Sequence, residues 1–339
     1  MLKRRKANSI ESSPNIIFNT HSPHLFNICA EEIFIHFQQG TFMHFIVSIP
    51  FDQGLAESIG KKGSEEGIAF YNRKEIDDVI VCLVPTDPDG KYYTVAESMM
   101  LADQVVLSTR NMGSNFGEAL IAAGLLGKRV IFTNENDVSK FAKGVDYVVA
   151  DRERVLEAIL GYRPDKKAAD QGNVVLIDRV FPVKGVGTVA LGFVKSGRIR
   201  VHDTLLHNSG KSAFVRSIQV QDVDRDEAEA GTRVGLALKG LDYGEIDKGD
   251  TLSDRRIEKV EELTAALSMS EIGQEYIVAG RRYTLVSDFI VSEVEVLEFD
   301  ESKNIVRFGL AKAAALQPGD KFLLLRNGIP RMFARGTVR

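Results

Sequence analysis

The period of the hydrophobic pattern changes once along the chain, near residue 174, and this change constrains the fold more than any other feature. Before it, apolar strand-like stretches alternate with helical ones; after it, apolar and polar residues alternate with a period of two. Side chains repeat every 3.6 residues on a helix and every two on a strand. The sequence therefore predicts an α/β region followed by all-β structure.

Residues 43–160 have the pattern of strands that alternate with helices. Strands are predicted at 44–49, 78–85, 104–109, 129–134 and 146–150, and helices at 94–102, 115–126 and 151–160. This alternation is typical of βαβ units and a mostly parallel sheet. We expect one α/β domain over this range.

The remainder of the chain predicts two antiparallel β-barrels. Residues 161–173, GYRPDKKAADQGN, are polar and predict a linker. Short stretches in which apolar and polar residues alternate, separated by Gly, Asp and Ser turns, then predict a barrel over 174–254. Residues 255–339 repeat this style, with strands near 259–266, 283–297, 304–312 and 321–326.

The first 42 residues differ from the rest. They begin with four basic residues and continue through polar text such as ANSIESSPN, which lacks the apolar stretch of a signal peptide. Met43 stands directly before the first strong strand and fits a true start. We interpret residues 1–42 as a poorly ordered leader that need not be native.

Charge and cysteine usage exclude several protein classes. The chain has 43 Lys and Arg against 47 Asp and Glu, a net charge of −4, so any nucleic-acid contact requires a local basic patch. Two cysteines are too few for a disulfide framework or a Cys-based zinc site, and no metal site is expected. No apolar run is long enough for a membrane span. We expect a cytoplasmic monomer.

The turn after the first strand is where a phosphate-binding loop would stand. Its working form, G-x-x-x-x-G-K-[ST], cradles phosphates with backbone N–H groups and a lysine and holds Mg²⁺ with a hydroxyl. Only Gly54 matches here, because Leu55 replaces the lysine and Ala56 the hydroxyl, and Pro50 removes one N–H group. The sequence favours a plain strand–turn–helix.

A guanine-reading loop of the form Asn-Lys-x-Asp would follow a later strand. The stretch 134–137 reads N-E-N-D, so Asn134 and Asp137 have the right spacing, but Glu135 replaces the lysine. The alternative is a turn that caps a helix. Gly54, Asn134 and Asp137 are together the candidates for a degenerate nucleotide site.

The first barrel carries the most specific motifs. Residues 177–192 read IDRVFPVKGVGTVALG, and AGTRVGL (230–236) and IDKGD (246–250) follow in order. This region resembles domain 2 of the elongation factor Tu family, and within it the SelB branch of selenocysteine-specific factors. RNGIPRMFARGTVR (326–339) resembles the last strands of domain 3, and LADQVVLST…GEALIAAGLLGKRVIFTNEND a shortened GTP-binding domain. The chain is thus similar to an archaeal SelB-like paralogue with an eroded P-loop-type domain.

The resemblance implies roles for single residues. In SelB proteins the domain-2 barrel holds the amino acid esterified to tRNA, through an Asp-Arg pair and a further arginine that fall here on Asp178, Arg179 and Arg233. Arginine can fork onto an anionic group while aspartate pairs with the amino group. The alternative is an exposed salt bridge at the barrel rim, worth ~0–1 kcal/mol.

The end of the chain is basic. From Lys321 onward there are five basic residues and no acidic one. In the family, domain 3 touches the tRNA backbone, which would place Arg331 and Arg335 against phosphates. A solvated edge that discourages aggregation is the alternative.

These observations predict a translation elongation factor-like protein that binds aminoacyl-tRNA, with the ribosome as a further partner. GTP binding and hydrolysis are expected to be weakened or lost, although the family implies GTP with Mg²⁺ as cofactor. No catalytic residue is assigned. The alternatives are an active GTPase with an atypical nucleotide site and a non-catalytic interaction scaffold.

Overall fold

The structure is a computed structural model that describes residues 43–76, 78–164, 172–271 and 277–339. The predicted leader, residues 1–42, lies outside the described residues, as does 165–171 in the predicted linker. Over the described residues, an α/β domain is followed by two antiparallel β domains, which confirms the predicted fold class.

The first domain contains a sheet with the strand order β2-β3-β4-β1-β5-β6-β7. Its strands are β1 (Met43–Ser48), β2 (Lys61–Glu66), β3 (Ile68–Lys74), β4 (Asp78–Pro85), β5 (Gln104–Leu107), β6 (Arg129–Thr133) and β7 (Tyr147–Ala150). Strands β4, β1, β5, β6 and β7 are mutually parallel. Each lies within a few residues of a predicted apolar stretch, because parallel strands are buried on both faces.

Strands β2 and β3 form an antiparallel hairpin that the sequence pattern does not predict. It pairs with β4 through β3, so the sheet is mixed. The sequence KKGSEE of β2 is largely exposed, and an edge strand facing water has no apolar alternation by which to recognise it. Gly67, with φ +73°, makes the turn between the two strands.

Helices cover both faces of the sheet. They are α1 (Gln53–Ile59), α2 (Tyr93–Leu101), α3 (Ser114–Leu126) and α4 (Val155–Leu160). Helices α1 and α4 share a core with one face, whereas α2 and α3 pack on the other. Gly127, at φ +64°, ends α3 in the left-handed conformation.

The middle domain is a sheet whose ends meet. Its strands are β8 (Val174–Val183), β9 (Gly187–Ser196), β10 (Arg198–Arg200), β11 (Thr204–His207), β12 (Ser212–Val220), β13 (Val223–Arg225), β14 (Glu227–Glu229), β15 (Arg233–Lys239) and β16 (Thr251–Ser253). The order is β11-β16-β8-β9-β15-β12-β13, and an additional pairing of β11 with β12 completes the ring. Strands β10 and β14 pair separately.

The last domain is a closed barrel with the order β17-β20-β19-β18-β21-β22. Its strands are β17 (Val260–Met269), β18 (Arg282–Ser287), β19 (Ile290–Asp300), β20 (Ile305–Ala314), β21 (Lys321–Leu325) and β22 (Met332–Val338). The single strand predicted at 283–297 is wrong, because a tight turn at Asp288 and Phe289 divides it into β18 and β19. The turn lacks Gly and Pro, and Asp288 takes φ +49° itself.

The three domains are packed against one another. Val286, Leu323 and Met332 of the barrel are buried in the same core as α2 and α3. Where all three domains meet, the ring of Phe193 lies 6.2 Å from that of Phe70 and 6.1 Å from that of Phe289. Among the helices of the described residues, none is long and apolar enough to cross a membrane.

Candidate functional site

The turn between β1 and α1 holds a carboxylate of the chain itself at the start of the helix. The Asp52 side chain accepts a hydrogen bond from the Leu55 N–H at 2.9 Å and so caps α1. Arg152 donates to both oxygens of this carboxylate, at 2.5 and 2.8 Å. Burial alone would raise the pKa of Asp52, but these hydrogen bonds outweigh burial and lower it. The carboxylate is therefore ionised and fully partnered.

The residues at this turn do not fit a nucleoside triphosphate with Mg²⁺. Leu55 and Ala56, at the lysine and hydroxyl positions of a phosphate loop, are completely buried in the core. Gly54 has no left-handed φ, and a Cβ atom there would lie 3.8 Å from the Asp52 carboxylate without crowding. A phosphate at this turn would have to displace the Asp52 carboxylate from the Leu55 N–H group and from Arg152.

The predicted guanine-reading residues have partners within the chain. Asn134 donates from Nδ2 to Asp151, which directly precedes Arg152, so the structure brings Asn134 to the same edge of the sheet as the β1–α1 turn. Asp137 instead accepts from the backbone N–H of Ser139 at 2.9 Å and from its hydroxyl at 3.0 Å. These hydrogen bonds lower the pKa of Asp137. Asp137 and Ser139 thus have the geometry of an Asx turn.

Asp178 and Arg233 form a buried pair in the middle domain. Arg233 Nη2 lies 3.2 Å from Asp178 Oδ2, and both side chains are more than four-fifths shielded from solvent. The register of β8 shifts between Ile177 and Arg179, and this bulge directs Asp178 inward. Burial raises the pKa of Asp178 and lowers that of Arg233, against their mutual attraction.

The β2–β3 hairpin of the first domain covers this pair. The Ser64 hydroxyl accepts from Arg233 Nη2 at 2.8 Å, and the ring of Phe70 lies 3.9 Å from the Arg233 guanidinium carbon. Arg179 donates to the Glu65 carbonyl at 2.7 Å and forms an ion pair with Glu66 at 2.5 Å. The structure thus brings the three predicted amino-acid-binding residues together at an interface between domains, with the hairpin as their present partner.

A second buried carboxylate lies near this group. Glu97 of α2 is fully buried, and Lys248 of the middle domain places its Nζ 2.8 Å from Glu97 Oε1. Burial raises the pKa of Glu97 to about 7, although Lys248 opposes this, and Asp178 adds a smaller contribution in the same direction as burial. The sequence analysis missed Glu97, although a lone carboxylate in the otherwise uncharged segment YTVAESMML is a signal.

Glu97 and Lys248 line a cavity of about 450 Å³ where the three domains meet. Asp250 and Lys259 also line it, and Lys259 Nζ lies 2.6 Å from Asp250 Oδ1. Burial disfavours the charge of Asp250, but hydrogen bonds from His207 and Lys259 lower its pKa to about 2. The cavity wall therefore carries both positive and negative charges.

Arg331 and Arg335 contact the first domain. Arg331 donates its backbone N–H to Glu118 at 2.8 Å, and its guanidinium carbon lies 3.4 Å from the ring centre of Tyr92. Glu118 is buried in α3, and Arg331 Nε lies 3.2 Å from it. Arg335 donates to the Leu125 carbonyl at 3.0 Å. Both arginines thus have intramolecular partners, and their contact with tRNA phosphates stays a prediction.

Metal ligands do not cluster in the part of the chain that the structure describes. No group of three His, Cys, Asp or Glu side chains there could hold a metal ion.

Comparison with known proteins finds similarity along most of the chain. The model of elongation factor Tu domain 2 matches residues 187–253. The uncharacterized protein MJ0325 of Methanocaldococcus jannaschii is 29% identical over 287 residues, 80% of this chain and 92% of that protein. The selenocysteine-specific elongation factor of the same organism is 27% identical over 175 residues, which are 45% of this chain and 37% of that factor.

Solved structures share the fold. Translation elongation factor SelB from Methanococcus maripaludis, in complex with a GTP analogue, superposes with a TM-score of 0.74 at 18% identity. The superposition covers 88% of this chain and 79% of that one. The apo form of the same factor gives a TM-score of 0.71 at 19% identity. At this identity the likeness concerns the fold alone.

Proposed function

We propose that this chain, which is similar to the elongation factor Tu family and has a SelB-like fold, binds aminoacyl-tRNA and that its GTP binding and hydrolysis are weakened or lost. The observation that carries the proposal is the buried Asp178–Arg233 pair, with Arg179 beside it. An ion pair at an exposed rim contributes little free energy. When the pair is buried it can discriminate between ligands, because a buried charge needs a partner of matching charge.

The chemistry of the pair suits the aminoacyl end of a tRNA. The α-amino group of an esterified amino acid is a cation that a carboxylate such as Asp178 can bind, whereas Arg233 and Arg179 can fork onto oxygen atoms or an anionic side chain. Deacylated tRNA lacks this α-amino group. We therefore expect the group to distinguish charged from uncharged tRNA.

The nucleotide half of the proposal rests on the β1–α1 turn. In a phosphate loop the protein provides a cation and the ligand provides the anion. Here Arg152 and Asp52 of the chain itself already provide both charges. Leu55 and Ala56 point into the core and cannot be redirected toward a ligand without exposing apolar surface. A working GTPase at this position would require a different arrangement of the turn.

Contacts with the tRNA backbone and the ribosome are part of the same proposal. Arg331 and Arg335 would meet phosphates only by adding to, or exchanging, their present partners Glu118 and Leu125. A cytoplasmic location follows from the family and is proposed with it.

The test is a filter-binding titration with bulk aminoacyl-tRNA and with the same tRNA deacylated, at two salt concentrations. The test variant is Asp178→Asn with Arg233→Gln, which removes both charges together and leaves neither buried alone. The matched control is Arg198→Gln with Glu229→Gln, an exposed ion pair of the same domain.

We expect the unmodified protein to prefer charged tRNA and the test variant to lose roughly tenfold of that preference, about 1.4 kcal/mol. The control variant should keep it. Absence of binding of either tRNA by the unmodified protein would overturn the proposal and favour the interaction scaffold.

A further inference from the structure

A wide apolar groove lies at the surface where α3 meets the C-terminal barrel. Its volume is about 960 Å³, and it runs between α3, the loop that follows β6, and the segment before β22. It takes no part in the proposed aminoacyl site. Monomeric proteins rarely expose a large contiguous apolar surface, and such surfaces mark sites of interaction.

Large apolar side chains are concentrated at this groove. Phe141 is 59% exposed, Ile329 68% and Met112 37%, and all three line it. They account for three of the eight large apolar residues exposed in the described part of the chain. Aromatic and long aliphatic side chains in this position are the anchors that protein partners use.

The outer face of α3 is unusual for a helix at a surface. Its one charged residue, Glu118, is buried and paired with Arg331, and the rest of the face toward the groove is uncharged, with Gly117, Ile121 and Gly124. A Cβ atom at Gly117 would meet nothing within 4 Å, and Gly117 has no left-handed φ. Glycine within a helix lowers its stability. Neither crowding nor backbone conformation within the chain accounts for Gly117, whereas a partner backbone that approaches α3 closely would.

The charges around the groove are mainly positive. Lys140, Lys143 and Arg335 line it, together with the carboxylates Glu118 and Glu271. Arg331 neutralises Glu118, which leaves three cations and one carboxylate. Complementary charge at the rim of an apolar contact steers association and selects partners.

We propose that this groove binds an amphipathic helix of another protein, one whose apolar stripe is flanked by acidic residues. The apolar stripe of the partner helix lies along α3, between Met112 and Ile329. The apolar anchors of the partner, at helical spacing, lie in the groove. The acidic flanks face Lys140 and Lys143.

The experiment uses the full chain and a display library of helical peptides of about 18 residues, or five turns. Apolar residues are fixed on one face, and the flanking positions vary between Glu and Lys. The blocking variant is Gly117→Gln, which fills the groove from an open position and should not lower the melting temperature. The matched control is Gly244→Gln, because a Cβ atom at Gly244 also meets nothing within 4 Å and Gly244 lies in the middle domain.

We expect selection of Glu-flanked peptides whose affinity falls roughly tenfold or more in Gly117→Gln and is unchanged in Gly244→Gln. Lys140→Glu with Lys143→Glu should reverse the preference to Lys-flanked peptides. No enrichment, or the same preference in the charge-reversed protein, would overturn the proposal. So would a concentration-dependent dimer that Gly117→Gln abolishes in sedimentation equilibrium, because the groove would then belong to a second copy of this chain.

Discussion

Glu97 illustrates how burial changes the chemistry of a single carboxylate. Its pKa of about 7 exceeds the value of 4.5 expected for an unfolded chain. Between these values the folded protein holds a proton that the unfolded chain has released, so stability is lost as the pH rises. We expect the free energy of unfolding to fall by ~2 to 3 kcal/mol from this residue between pH 5 and 8.

The measurement is urea unfolding of the unmodified protein and of Glu97→Gln across this pH range. Glu97→Gln should lack this part of the pH dependence. Its free energy of unfolding should therefore rise relative to that of the unmodified protein as the pH rises. Glu293→Gln, at an exposed ion pair of the barrel, is the control. A difference that does not change with pH would mean that Glu97 titrates near its ordinary value.

At the scale of residues, sequence motifs predicted Asp178, Arg179 and Arg233 as a group, and the structure brings them together. The motifs could not predict which side chains would partner them. Arg233 and Ser64 are 169 positions apart, and Lys248 and Glu97 are 151 apart. Such pairs depend on how domains dock, which no local pattern records.

At the scale of elements, the β2–β3 hairpin is the feature that sequence reasoning missed, and it is also the feature that covers the candidate site. Buried strands and helices of the first domain were predictable, because burial imposes apolar periodicity. Strand β2, with the sequence KKGSEE, is polar and largely exposed, and its contacts with Arg179 and Arg233 leave no apolar periodicity in the sequence.

The hairpin leads to a prediction about ligand access. Ser64→Ala with Glu66→Gln removes one hydrogen bond to Arg233 and the charge that faces Arg179, without altering Asp178. If a ligand must replace these contacts, its affinity should increase roughly fivefold, as expected for ~1 kcal/mol of lost internal hydrogen bonding. Titration with charged tRNA measures this.

The control for the hairpin is Arg282→Gln with Glu293→Gln, an exposed pair on the last barrel. It should leave the affinity unchanged. A decrease in affinity on altering Ser64 and Glu66 would instead make the hairpin a part of the ligand-binding surface.

At the scale of the whole molecule, buried ionic contacts join each pair of domains. Lys195 of the middle domain lies 2.8 Å from both Asp288 and Asp320 of the last barrel. Burial disfavours its charge, but the two aspartates raise the pKa of Lys195. Lys248–Glu97 and Arg331–Glu118 make the other two connections. The order of domains follows from the change of hydrophobic period, whereas these contacts follow only from the docked structure.

The response of the whole molecule to nucleotide tests the closed β1–α1 turn. With Asp52 bound to Arg152 and with Leu55 and Ala56 buried, ~1 mM GTP with Mg²⁺ should leave the melting temperature unchanged. A site of micromolar affinity would add about 4 kcal/mol to the free energy of unfolding at that concentration, a shift of several degrees. ATP with Mg²⁺ serves as the control for non-specific effects of nucleotide and metal. A stabilisation of that size by GTP and not by ATP would show that the turn opens to admit a guanine nucleotide, and the proposed loss of GTP binding would then have to be abandoned.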